Sequence, residues 1–228
     1  MDTVLLTLLG FGLISGIKHA FDADHIAAIS TLVSNHKSIK KSTLLGMFWG
    51  FGHTISLLVV GLIVLLLKIP VPRKISLSFE FIVGLMLVVL GLNVLATMNR
   101  NKMHLHKHKH AEIEHIHFHS HKSAKHHSHE HLPLNKSLFI GIMHGLTGSA
   151  ALTLLVLSSI NSIWLGLIYV LIFGIGSIIG MVLISSVVLL PLTLITNKLG
   201  EIQKLLRLGI GSVSTIIGLG IMYNTIFA

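Results

Sequence analysis

The chain has no cysteine among its 228 residues. That excludes disulfides and thiolate ligation, which argues against a Cu(I) carrier or a Cys-lined zinc site, so any metal chemistry must use nitrogen and oxygen donors. Charge is also scarce. Only 11% of residues are charged, with eight Asp and Glu against seventeen Lys and Arg, whereas soluble domains carry about 25%. With 52% hydrophobic residues and a mean hydropathy of +0.84, a soluble globule is excluded. There is no GxxxxGK[ST] loop to bind ATP and no HExxH metalloprotease string. The opening MDTVLLTLLG lacks the basic stretch of a secretory signal, so the first apolar run is expected to remain in the mature protein.

What is present is a series of apolar stretches long enough to cross a hydrocarbon core of about 30 Å. They fall at residues 3–33, 43–67, 77–98, 137–160, 163–192 and 205–227. The pattern predicts an all-α, polytopic membrane protein with six transmembrane helices. Lys37, Lys40 and Lys41 follow the first stretch; Arg100, Lys102, Lys107, Lys109, Lys122, Lys125 and Lys136 follow the third; Lys198, Lys204 and Arg207 follow the fifth. Only Lys68, Arg73 and Lys74 lie on the other side. Basic loops face the cytoplasm, so both termini are expected outside a cell membrane. The net charge of +9 is explained by these flanks; it lacks the aromatic-rich face that nucleic acid would need.

A weak internal repeat runs through the stretches. IKHAFDADHIAAI in the first aligns with IMHGLTGSAALTL in the fourth, pairing His19 with His144 at an offset of 125. GFGHT in the second aligns with GIGSI in the fifth, pairing Gly50, Gly52 and His53 with Gly174, Gly176 and Ser177 at 124. Gly84 and Gly91 pair with Gly211 and Gly218 at 127. Units of three spans must have opposite orientations, so the expectation is two inverted three-helix repeats, residues 1–98 and 137–228, with a site near the midplane. Residues 99–136 are of different chemistry: His104, His106, His108 and His110 alternate, as do His115, His117, His119 and His121, followed by His126, His127, His129 and His131. Twelve His in 28 residues with few apolar neighbours read as a cytoplasmic metal-capturing linker without regular structure in the absence of metal.

The feature that carries chemistry is HAFDADH, residues 19–25, inside the first apolar run. Ionisable residues within a span are costly and mark an ion or substrate pathway. Two imidazoles and two carboxylates suit borderline divalent ions such as Ni2+, Co2+ and Zn2+. On a regular helix of about 100° per residue, His19, Asp22 and His25 share a face and Asp24 points elsewhere. Gly16 and the length of the run predict a bent or broken span that would gather all four. His53 in the second stretch is a further intramembrane imidazole and the natural partner of this cluster; His144 and Ser149 are weaker candidates at the matching positions of the second half. The bland alternative is a buried polar network holding helices together.

At these residues the chain resembles the nickel/cobalt transporter (NiCoT) family. HAFDADHIAAI matches the family's HX4DH signature at His19, Asp24 and His25, with Asp22 also typical, and FGHTIS resembles its second, LGHS-type motif at His53. HGLTGSAAL and FGIGSIIGM look like the short branches of the superfamily, including urease-linked permeases. Larger members have eight spans with the signature in the second, and their later acidic motifs are not apparent here. Six spans with a His-rich central loop resemble the nickel/cobalt efflux branch. The resemblance implies a carrier, not an enzyme, that moves Ni2+ or Co2+ as substrate through His19, Asp22, Asp24, His25 and His53, without a cofactor. Uptake is the favoured direction; the alternatives are efflux by proton exchange and, from another class, an intramembrane metalloenzyme.

Overall fold

The computed structural model describes residues 2–34, 38–69, 71–100, 104–110, 113–119, 133–147, 162–194 and 200–228. Seven helices and one hairpin make up this part: α1 Asp2–His19, α2 Ala23–Val33, α3 Ile39–Leu67, α4 Arg73–Arg100, strands β1 His104–His110 and β2 Ile113–His119, α5 Leu134–Thr147, α6 Ile163–Leu194 and α7 Gly200–Phe227. Local chemistry sets several boundaries. Ser38 caps α3 by accepting from the Lys41 amide, which starts the helix before the expected residue 43. Lys68 closes it in the left-handed region at φ 53, its amide returning to the Val64 carbonyl. The Pro72 carbonyl accepts from the Ile75 and Ser76 amides at the start of α4, and the Pro133 carbonyl from the Ser137 amide at the start of α5.

Four helices, α3, α4, α6 and α7, contain segments long and apolar enough to cross a membrane, while the apolar parts of α1 and α2 are shorter. The expected first span is broken, with α1 and α2 separated at residues 20–22. The expected fourth span is described only through Thr147, and the rest of it lies outside the described residues. Large apolar side chains face outward at helical spacing, among them Ile55, Val59, Leu62 and Leu66 on α3 and Ile82, Leu85, Val89 and Leu92 on α4. A soluble monomer does not expose an apolar belt of this extent; a lipid-embedded one does.

Helices approach at glycines and are tied by small hydroxyls, as expected where lipid removes the hydrophobic drive between helices. Gly16 of α1 lies against the Phe173 carbonyl of α6, and Gly141 of α5 against the Trp49 carbonyl of α3. Gly176 meets the Leu13 carbonyl and Gly52 the Leu138 carbonyl. Gly12 on Tyr169 and Gly16 on Phe173 advance together along both chains, as do Trp49 on Gly141 and His53 on Gly145, so α1 runs parallel to α6 and α3 to α5. Gly84 meets the Gly218 carbonyl and Gly91 that of Gly211, so α4 and α7 are antiparallel. Between helices, Ser177 Oγ donates to the Gly16 carbonyl, Ser137 Oγ to Leu45, Thr54 Oγ1 to Gly174 and Ser214 Oγ to Leu87. Beneath the broken span, Ala27, Ala28, Ile29, Leu32 and Val33 of α2 join Trp49, Val83, Leu87, Ile140, Met181 and Ile184 in one buried cluster.

The linker departs from the expectation of no regular structure. Its backbone pairs as an antiparallel hairpin in which His104 faces His119, His106 faces His117 and His108 faces His115. The reason lies in the HLHKHKH and HIHFH alternation, which has the two-residue period of a strand, and the register sets histidine opposite histidine. This hairpin is also the exception to an all-helical chain among the described residues.

Candidate metal centre

The break in the first span builds the site. α1 ends at His19, the Phe21 and Asp22 amides return to the Lys18 and His19 carbonyls, and Asp22 adopts an extended backbone before α2 begins at Ala23. An N-terminal Asp commonly caps its helix with its own carboxylate. Here Asp22 makes no such cap; its Oδ2 instead accepts from His19 Nδ1 at 2.8 Å. Two residues on, Asp24 Oδ1 accepts from both the backbone amide of His25, at 2.9 Å, and its Nδ1, at 3.0 Å.

With a carboxylate holding each Nδ1 proton, both rings leave the Nε2 lone pair free to ligate, the arrangement in which outer carboxylates orient metal-binding imidazoles. His53 from α3 and His144 from α5 complete the cluster. The ring centroid of His25 lies 4.6 Å from His19, 5.4 Å from His53 and 4.9 Å from His144, and His19 lies 5.3 Å from His53. All four histidines are buried, at 6% exposure or less. The Nε2 atoms of His19, His25 and His144 and both nitrogens of His53 have no hydrogen-bond partner among the described residues. Burying such a group unpaired costs about 1–3 kcal/mol, and a cation is one partner that such lone pairs can accept.

Two sets of potential ligand atoms converge to within 4.8 Å of one another: His19, His25 and His53, and Asp24, His25 and His144. His144 Nε2 lies 3.7 Å from Asp24 Oδ2. The structure therefore gathers His19, Asp24, His25 and His53, and it draws in His144. Asp22 differs from the expectation of a direct ligand. Its side chain is 53% exposed and joins neither set, because the backbone break turns it out to hold His19 from behind. Ser149 lies outside the described residues, as do His121, His126, His127, His129 and His131; His104, His106, His108, His110, His115, His117 and His119 lie on the hairpin, away in sequence from this cluster. Trp49, which stacks on His25 at 5.6 Å with the planes 12° apart, and Phe173, 5.5 Å from His19, were not anticipated. Trp49 could have been: it precedes His53 by four residues and so shares its helical face.

The NicO family, described as high-affinity nickel-transport protein, matches residues 5–225. The chain is 38% identical over 225 residues to the urease accessory protein UreH of Bacillus sp. (strain TB-90), an alignment covering 98% of this chain and 94% of that protein. No solved structure matches. A membrane-type helical chain whose buried imidazoles suit a borderline divalent ion, matched over nearly its whole length, belongs to the NicO family of high-affinity nickel-transport proteins; it is a nickel transporter and not an enzyme.

Proposed function

We propose that Ni2+ crosses the membrane through the cluster at the break in the first span, bound by His19, His25 and His53 and oriented by Asp22 and Asp24. The observation that carries this reading is the set of buried Nε2 and Nδ1 atoms, contributed by α1, α2 and α3, that have no hydrogen-bond partner among the described residues. Imidazole binds both Ni2+ and Co2+, so cobalt is a second cargo of the same site. The two carboxylates supply about two negative charges, which one divalent cation neutralises.

The transmembrane part is six spans in two inverted three-helix repeats, with α1 and α2 together forming the first. Supporting this, the contact of Gly16 with Phe173 becomes that of Gly141 with Trp49 when the residue numbers are shifted by 125 and 124, and Gly176 with Leu13 becomes Gly52 with Leu138 in the same way. The pair Gly84 and Gly218 becomes Gly211 and Gly91 on a shift of 127. Parallel α1 and α6, parallel α3 and α5, and antiparallel α4 and α7 agree with alternating spans. Both termini face outward and the His-rich hairpin faces the cytoplasm, where its facing His positions buffer arriving metal.

Uptake is the direction. An ion of charge +2 entering a cell held at about −100 mV gains about 4.6 kcal/mol, since each elementary charge gains about 2.3, and this supports about three decades of accumulation without ATP. The test is radioactive nickel flux into vesicles containing the purified full chain, with an imposed inside-negative potential or pH gradient. Potential-driven entry that is lost in His53→Ala supports the reading; flux that only a proton gradient drives, in the opposite sense, replaces uptake by exchange efflux.

A further inference from the structure

We infer that the ion occupies two successive positions sharing His25, one formed by His19, His25 and His53 and the second by Asp24, His25 and His144, so that His144 of the second half is a ligand of the departing ion. The inference rests on the proposed intramembrane site and adds to it a second binding position.

Three observations carry it. His25 neighbours both other rings, 4.6 Å from His19 and 4.9 Å from His144 by ring centroids. His144 is 1% exposed, and its Nε2 has no hydrogen-bond partner among the described residues, although it lies 3.7 Å from Asp24 Oδ2. That separation is too long for a hydrogen bond and leaves room for a cation held by both atoms. The surroundings of His19 and His144 also match: His19 packs on Phe173 at 5.5 Å, and His144 packs on Trp49 at 5.3 Å. Phe173 and Trp49 differ by the same 124 residues that separate the paired glycines of α6 and α3.

The two halves thus present equivalent imidazoles that both adjoin one shared ring. The second half has kept only this one: Asp22, Asp24 and His25 correspond to Thr147, Ser149 and Ala150. Carboxylate and histidine for the second position therefore come from the first half. A shared ligand lets the ion move by exchanging His19 and His53 for His144 and Asp24 while one bond is kept, avoiding a bare divalent ion in a low-dielectric interior.

The test uses the full chain with the twelve linker histidines replaced by Ser, purified in detergent, with Co2+ alone as the probe. In a His53→Gln background, His144→Cys places a thiolate at the second position of a chain that has no other cysteine. A sulfur-to-cobalt charge-transfer band is expected on titration; its absence in protein that elutes and melts as the parent does overturns the second position. His144→Gln alone is expected to keep stoichiometric cobalt binding at the first position while slowing nickel flux in vesicles by about tenfold or more, since losing even a residue that only orients a metal ligand costs about 10- to 100-fold. Wild-type flux in that variant also overturns the inference, with the first position left standing. Undiminished cobalt binding after combined His19→Gln, His53→Gln and His144→Gln would instead remove the cluster itself as the metal site.

Discussion

Asp22→Ala separates a residue that binds metal from one that aims a ligand. Asp22 Oδ2 accepts from His19 Nδ1 at 2.8 Å, yet it stands outside both ligand sets and its side chain is 53% exposed. Removing the carboxylate leaves the His19 ring in place but frees its tautomer and rotation. Losing an orienting partner of this kind costs about 10- to 100-fold in metal affinity. Solvent screens so exposed a group, which puts the expected loss near the lower end, about tenfold or about 1.4 kcal/mol. His19→Ala removes a donor outright and is expected to lose distinctly more. The assay is equilibrium nickel binding to the purified chain with the linker histidines replaced by Ser, so that only the buried cluster is read. Equal losses in the two variants would make Asp22 a ligand in its own right, and no loss in Asp22→Ala would mean that its hydrogen bond does not set the His19 ring; either result refutes the reasoning.

Gly16→Leu and Gly141→Leu are each expected to lower thermal stability in detergent by about 2 kcal/mol or more, an overpacking cost, because any side chain there meets a backbone carbonyl, whereas Gly10→Ala, inside α1 with open space around it among the described residues, is expected to leave the melting temperature the same or slightly higher. Protons compete with metal for neutral imidazoles and ionised carboxylates. Apparent nickel affinity should therefore fall as the medium is acidified, in the linker-substituted chain as well as in the wild type; an affinity that stays flat in isothermal titration down to the pH at which the chain unfolds would remove proton competition from the site. Replacing the twelve linker histidines by Ser is expected to lower the number of nickel ions bound per chain while leaving measurable flux, and complete loss of flux in inserted protein would make the hairpin part of the obligatory path.

The helices were legible where composition alone decides them. The long apolar runs appear as α3, α4, α6 and α7 within a few residues of their expected limits, the differences arising at caps such as Ser38 that hydropathy does not register. The broken first span was legible as well, because four ionisable residues within one apolar run cannot share a regular helix face. Sequence reasoning could not foresee the division of labour between the two aspartates. Helical geometry placed Asp22 with His19 and His25 and set Asp24 apart. Once the backbone breaks at residues 20–22 that periodicity no longer applies, and Asp24 moves in while Asp22 moves out. His144 was visible only through an offset of 125, yet it is buried within the cluster because Gly145 lets α5 approach the His53 carbonyl of α3. The hairpin was missed because the linker was judged by its low hydrophobicity, although its alternation already carried the period of a strand.

The most direct test of the central claim is nickel K-edge X-ray absorption on the full chain loaded with one equivalent of Ni2+, with the linker histidines replaced by Ser. The account predicts strong imidazole scattering from three histidines, reduced by one ring in His53→Ala. A shell of oxygen donors with no imidazole contribution, unchanged by that substitution, would contradict it.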